Sequence, residues 1–277
     1  WPILEILRYI TTNTDITESA REIFQIVRDI VETEDIIRPE LSKDELQSRL
    51  DSAGWNSEKR QLSNFQMHNL IQTTRRDNAA IFSVPGAGKT VEALAYSSIV
   101  SGPDTLFVIV CPRNAYISWE EELSACLNIT KKDSIRATGN DHELRGRLIT
   151  RSKPYKAVLV NYNRLWFRYR AFSEYIQEMR KNNKKVVVVF DESHWAKGGK
   201  SFTSGVKRIA PFANHRILLS GTPMPKEPGD LVHQFRALLP YMMSEINSDN
   251  ATEITRGRFV RTTKGDQGLQ PPIIILD

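Results

Sequence analysis

SVPGAGKT, Ser83 to Thr90, lies between the apolar run AAIF and the helical pattern VEALAYSSIV. Strand, glycine loop and helix form the setting that a phosphate-binding loop requires. Gly86 and Gly88 permit a turn whose N–H groups point inward at an anion. The helix that follows offers its positive end to the same anion. Pro85 and Ala87 complete the loop. Lys89 has the reach for β- and γ-phosphates, and the Thr90 hydroxyl can ligate Mg²⁺. The strict GxxxxGK[ST] pattern has Gly where this chain has Ser83. Alone, the loop points to a bound nucleoside triphosphate and no further. The competing reading, a glycine turn that happens to precede a lysine, is disfavoured by its place between strand and helix.

Outward from the loop, beyond Leu62, apolar strands alternate with helical segments. Helices are expected over 62–76, 91–100, 116–126, 141–150, 163–180 and 228–238. Strands are expected over 79–84, 105–111, 134–137, 157–161, 186–190 and 216–220. TLFVIVC and VVVVF are apolar throughout rather than alternating, as in a mostly parallel sheet covered on both faces. Such α/β sheets collect their ligands at the carboxyl ends of strands. Upstream, Ile16, Ala20, Ile23, Ile26, Val27 and Ile30 fall on one helical face. Pro39 breaks that pattern, and a second helix is expected from Ser42 to about Leu50. Residues 1–60 therefore read as a helical accessory region, and 61–277 as the α/β lobe.

Directly after VVVVF stands Asp191-Glu192-Ser193-His194. An acidic pair at the end of a buried strand is costly unless it has a partner or a task. Asp191 can hold Mg²⁺ opposite Thr90, and Glu192 can orient and deprotonate the water that attacks a γ-phosphate. After the strand RILLS comes Ser220-Gly221-Thr222-Pro223. Its hydroxyls can bond the acidic pair and sense a γ-phosphate; by itself the stretch reads better as a strand-ending turn of small residues. His194 has no second ligand nearby in the sequence and is read as a link to Ser220 and Thr222 rather than a metal ligand. RLWFRYRAF, Arg164 to Phe172, interleaves cations with aromatics and could stack bases. Leu165, Trp166, Tyr169 and Phe172 have core spacing on a helix, and the core reading is preferred.

Composition bounds the rest. Of 277 residues, 40% are hydrophobic and 26% charged, ordinary for a globular chain. The net charge of +5 is a mild basic excess, compatible with nucleic acid and shared by many proteins without it. Two cysteines, Cys111 and Cys126, are too few for a disulfide framework, so a reducing compartment is expected; Cys111 should be a buried strand-end thiol. No apolar run approaches membrane-spanning length and no signal peptide is visible, so no membrane partner is expected. The chain opens at Trp1 inside a helical pattern and closes on the apolar PPIIILD, which reads as a fragment of a longer protein.

SVPGAGKT, VVVVFDESH and LLSGTPMP, in this order, resemble motifs I, II and III of superfamily-two helicases and translocases. More narrowly, the chain resembles the first RecA-like lobe of the Swi/Snf-type double-stranded-DNA translocases over residues 60 to 277. LSNFQ, CPRNAYISWEEEL, VLVNYNRL, SGTPMPKEPGDL and FVRTTK with LQPP carry the narrower match. DESH stands where the family writes DEAH or DEGH. MPKEPGD replaces an Asn-rich stretch typical of eukaryotic members, and 195–215 holds no large insertion, as in a compact, prokaryote-style member. The resemblance implies a RecA-like P-loop fold, ATP and Mg²⁺ as ligands, and Gln66 as the residue that reads adenine. It implies nucleic acid, most simply double-stranded DNA, along Arg113, Asn114, Asn161, Tyr162, Arg164 and Lys197, most of which read as readily as solvated surface groups. It also implies a second RecA-like lobe bearing the arginine finger, so this chain alone should hydrolyse ATP poorly. Location would be cytoplasmic and nucleoid-associated in a prokaryote, nuclear in a eukaryote. The alternative function is a nucleotide-gated nucleic-acid-binding switch without motor activity. A small-molecule phosphotransferase would leave SGTP and Gln66 unexplained.

Overall fold

Strand β5 (Lys185–Phe190) is the middle of the sheet, because its valines are buried on both faces. Six further strands flank it: β1 (Asn78–Ile81), β2 (Thr105–Val110), β3 (Ser134–Arg136), β4 (Ala157–Val160), β6 (His215–Leu219) and β7 (Phe259–Val260). The order is β3-β4-β2-β5-β6-β1-β7, and every pairing is parallel. The computed structural model describes residues 37–149, 153–197, 200–224, 226–227, 229–242 and 245–266. The helical face expected at Ile16 to Ile30, and LQPP near the end, lie outside the described residues.

Successive strand residues point to opposite faces, so each apolar strand feeds two cores. Val186, Val188 and Phe190 face one side with Leu106, Val108 and Leu218; α5 (Asp141–Ile149), α6 (Tyr162–Lys181), α7 (Lys200–Ile209) and α8 (Asp230–Leu238) cover it. Val187 and Val189 face the other with Phe107, Ile109 and Leu219, under α1 (Lys43–Ser52), α2 (Asn64–Thr73), α3 (Lys89–Ser101) and α4 (Tyr116–Leu127). Each fully buried Val contributes on the order of 1.5–3 kcal/mol. A short α9 (Ala251–Thr255) precedes β7. The α/β architecture expected from the sequence is present. Among the described residues, no helix is long and apolar enough to cross a membrane.

Residues 37–60, read from sequence as part of an accessory region, share the second core. Leu46 and Leu50 of α1 are fully buried there with Trp55, and Arg60 pairs with Glu122 of α4 at 2.7 Å. Helices α7 and α9 and strand β7 were not expected. α7 carries Gly205 in its middle, a residue that argues against helix. The packing requires it: a Cβ there would lie 2.9 Å from the Trp166 Cα of α6. Inside the first core, Arg216 of β6 is 1% exposed and donates to the carbonyls of Leu238, Ala210 and Ala213, tying three loop and helix ends to the sheet.

Candidate functional site

β5, β6 and β1 are neighbours, so the three sequence stretches that follow them meet at one edge of the sheet. The loop after β1 takes the conformation its glycines permit: Gly86 has φ +82° and Gly88 φ +76°, Gly88 being the N-cap of α3. A Cβ on Gly88 would fall 2.5 Å from Gln66 Nε2, so the Gln66 amide rests directly on this glycine. Gln66 closes the capping box of α2, accepting the Ser63 N–H at 2.9 Å, and its amide lies 3.4 Å from the carbonyls of Ala87 and Gly88. Ser83, where the strict pattern has glycine, turns away from the loop: it is fully buried, and its hydroxyl accepts the Thr262 N–H at 3.0 Å. Pro85 leans on Gly221, where a Cβ would approach it to 3.2 Å, so the loop touches the SGTP turn.

Lys89 Nζ donates to the Val84 carbonyl at 3.3 Å. Burial lowers its pKa, while Glu192, Asp191 and Glu92 oppose that shift. Asp191 has its carboxyl pushed up by burial, opposed by the Trp119 indole, the Glu192 N–H, Lys89 and His194. The two bonds are explicit: Trp119 Nε1 donates to Asp191 Oδ2 at 2.9 Å, and the Glu192 N–H to Oδ1 at 2.9 Å. Glu192 is pushed up by burial and by the neighbouring Asp191 charge. Its backbone is left-handed, φ +50°, a strained setting for a side chain with a Cβ and one that clusters at working sites. His194 Nδ1 lies 2.9 Å from Ser220 Oγ and 3.3 Å from a Glu192 oxygen, and the Thr222 N–H donates to Ser220 Oγ at 3.1 Å. A second link runs in parallel: Ser193 Oγ donates to Gln234 Oε1 at 2.6 Å, and Gln234 Nε2 to the Pro223 carbonyl at 2.7 Å, with Ser193 and Gln234 both fully buried.

The residues expected along nucleic acid divide. Arg113 and Asn114 are exposed on the turn after β2. Asn161 is the N-cap of α6, accepting the Arg164 N–H, and Arg164 donates to the Gly139 carbonyl. Arg113, Asn161 and Arg164 line one cavity of about 330 Å³. Tyr162 is not on that surface: it is 3% exposed, and its hydroxyl donates to the Asp191 carbonyl at 2.7 Å. It was misplaced because α6 begins one residue earlier than expected and turns Tyr162 inward. The side chain of Lys197 lies outside what is described. Trp119 of α4 is a partner of Asp191 that the sequence alone did not pair with it. Its place in the Trp-x-x-Glu of ISWEEEL was the available signal. Cys111 is buried as expected, with its thiol pKa raised by burial.

The Thr90 hydroxyl, at the start of α3, and the Asp191 carboxylate are oxygen donors of the kind that suits a hard cation. Each Asp191 oxygen accepts one bond and keeps a lone pair for a water or an ion. Among the described residues no cluster of three His, Cys, Asp or Glu side chains could hold a metal. Mg²⁺ bound by one or two residues beside phosphate oxygens needs no such cluster.

Among solved structures, the helicase domain of Hef from Pyrococcus furiosus superposes with a TM-score of 0.50 at 11% identity, over 76% of this chain and 39% of that one. At that identity the likeness speaks for the fold alone. Among curated proteins, CHROMATIN REMODELING 19 of Arabidopsis thaliana is 26% identical over 61% of this chain and 23% of its own length. The DNA annealing helicase and endonuclease ZRANB3 of Bos taurus is 29% identical over 64% and 16%, and the ATP-dependent helicase fft3 of Schizosaccharomyces pombe 25% over 57% and 17%. The chain thus spans less than a quarter of the length of these relatives. The family model described as the SNF2-related domain matches residues 61–260, the span that holds the loop, the acidic pair and the SGTP turn, and the chain belongs to that family.

Proposed function

We propose that this chain is the nucleotide-binding lobe of an ATP-driven DNA translocase. The observation that carries the reading is the placing of Asp191 and Glu192 within electrostatic reach of Lys89, with His194 joining Glu192 to Ser220. In this reading the triphosphate lies in the loop from Pro85 to Thr90, against the N–H groups at the start of α3. Gln66, already seated against the loop, reads adenine. Thr90 and Asp191 would hold Mg²⁺, which when bound neutralises phosphate charge. Glu192 takes the proton of the attacking water; burial and the Asp191 charge bring its carboxyl nearer to working pH, which suits a base. Ser220 and Thr222 pass the state of that carboxylate to the SGTP turn through His194. A pure nucleotide-gated switch would have no need of a strained Glu192 beside a histidine.

DNA as the polymer is supported by the likeness to ZRANB3, a DNA annealing helicase and endonuclease, and the eukaryotic sources of the relatives support nuclear rather than nucleoid location. A boundary near residue 60 is supported by a family match that begins at residue 61, whereas Leu46, Leu50 and Trp55 pack into the core of the lobe and speak for one unit from residue 37 onward. A second lobe would supply the cations that transition-state charge demands, so the isolated chain should turn over slowly. The test is steady-state ATP turnover of the full-length protein with and without duplex DNA. Stimulation by DNA, and loss of turnover with retained ATP binding in Glu192→Gln, are expected. Unchanged turnover in Glu192→Gln would refute the role of Glu192, and indifference to every nucleic acid would refute the translocase reading.

A further inference from the structure

Beyond the buried Tyr162, α6 carries four aromatics from Trp166 to Phe172, and three of them have packed surroundings. Phe172 is buried, the Trp166 backbone lies under α7 at Gly205, and the Tyr169 ring is covered by the Arg208 guanidinium at 4.1 Å. Phe167 is left 70% exposed, the largest exposure of any large apolar side chain among the described residues. A lone exposed Phe is unremarkable by itself. Its surroundings are not: it lines the cavity of about 330 Å³ with Arg113, Arg164 and Arg168, and among the described residues no carboxylate lines it with them. Arg164 is anchored on the Gly139 carbonyl. Neither Arg113 nor Arg168 has an ion-pair or hydrogen-bond partner among the described residues. The backbone beside Phe167 is also irregular. α6 departs from helical geometry at Arg168, φ −124° and ψ 17°, next to the point where Gly205 lets α7 press on Trp166.

We propose that Phe167 is a stacking platform for an unpaired base, on a strand whose phosphates run along Arg113, Arg164 and Arg168. This rests on the nucleic-acid reading given above and narrows its substrate. Guanidinium groups with no described acid among them attract phosphate without regard to sequence. An aromatic face at the rim of that groove fits the face of a base, and stacking of this kind is tolerant of which base it is. A continuous duplex turns base edges, not faces, into its grooves. The matching occupant is therefore a single strand or a branch point with at least one unpaired base. An apolar protein segment would cover three guanidinium groups without supplying counter-charge, which is costly.

The test compares two fluorescent oligomers with equal phosphate number on the 277-residue chain, an oligothymidylate of about 12 nucleotides and its abasic counterpart. Wild type should prefer the thymidylate. Phe167→Ala should weaken thymidylate binding about 5- to 100-fold, to the abasic level, and leave abasic binding and the melting temperature unchanged. Phe167→Trp should keep the preference, and Arg168→Ala should weaken both oligomers alike. Equal loss of both oligomers in Phe167→Ala, unchanged thymidylate binding, or no preference in the wild type would overturn the platform while leaving a phosphate-tracking groove. Absence of any salt-dependent binding by the wild type would overturn the nucleic-acid reading itself and the platform with it.

Discussion

Replacing Glu92 by Gln should make the nucleotide-free protein more resistant to alkaline pH. Glu92 lies in the first turn of α3, just beyond Lys89, and is 0% exposed. Neither of its oxygens has a hydrogen-bond partner among the described residues. Burial pushes its carboxyl from an ordinary 4.5 up to about 8; the nearby Asn69 amide and Lys89 moderate the shift. Asn69 nonetheless gives its N–H to Thr262 Oγ1 at 2.9 Å. The sign follows from linkage: the native state holds a proton that the unfolded state releases above 4.5, so stability falls as pH rises from about 4.5 to about 8 and then levels off. From 4.5 to about 8 is about 3.5 pH units, which at about 1.36 kcal/mol each makes about 5 kcal/mol lost at the alkaline limit, and about 3 kcal/mol at pH 7. Gln introduces an amide that also needs partners, a pH-independent cost of about 1–3 kcal/mol. The decisive quantity is therefore the difference in unfolding free energy between Glu92→Gln and wild type. It should climb by about 1.4 kcal/mol per pH unit from about pH 5 to about pH 8, measured by urea denaturation at several pH values. Parallel pH profiles would refute the assignment of a neutral, buried Glu92.

Two further outcomes follow from the site. At Glu192, φ +50°, Gly should be about 1 kcal/mol more stable than Ala, since only Ala carries the Cβ strain, while both variants lack turnover; the reverse order of thermal stability would remove the strain. At the buried Ser193–Gln234 bond, Ser193→Ala should cost about 1–3 kcal/mol in wild type and distinctly less in a Gln234→Leu background, because the second change removes the orphaned acceptor. Additive denaturation energies would show that the 2.6 Å bond contributes nothing.

Strand periodicity made most of the fold legible, because a two-faced parallel sheet writes itself as continuous apolar runs and each run here is bounded by polar turns. What escaped had local signals that tertiary contacts override. α7 looked unhelical through Gly205, yet Gly205 is what lets it touch Trp166. β7 is two residues long and becomes a strand only by pairing with Ala80 and Ile81. In the site, residue types with a fixed chemistry were readable: a lysine after glycines, carboxylates after valines. Residues whose role depends on a partner distant in sequence were not. Trp119 reaches Asp191 across 72 positions, and Thr262 reaches Ser83 across 179. Glu92 reads as an ordinary acid in a helix's first turn, where it would suit the dipole, until burial is known.

The strand order bears on how the two halves of the lobe communicate. The phosphate loop, the acidic pair and the SGTP turn follow β1, β5 and β6, on one half of the sheet; the cationic groove follows β2 and β4, on the other. β5 borders both halves, and Asp191 stands at its carboxyl end. From the groove side, the turn bearing Arg113 leads into α4, whose Trp119 holds Asp191 Oδ2, and Asn161 leads into Tyr162, whose hydroxyl holds the Asp191 carbonyl. From the nucleotide side, the Glu192 N–H holds Asp191 Oδ1, and His194 bridges toward Ser220. A strand of nucleic acid that moved Arg113 or Asn161 would therefore act on Asp191 through two buried, rigid side chains. The same two contacts run in the other direction, since coupling between sites is reciprocal.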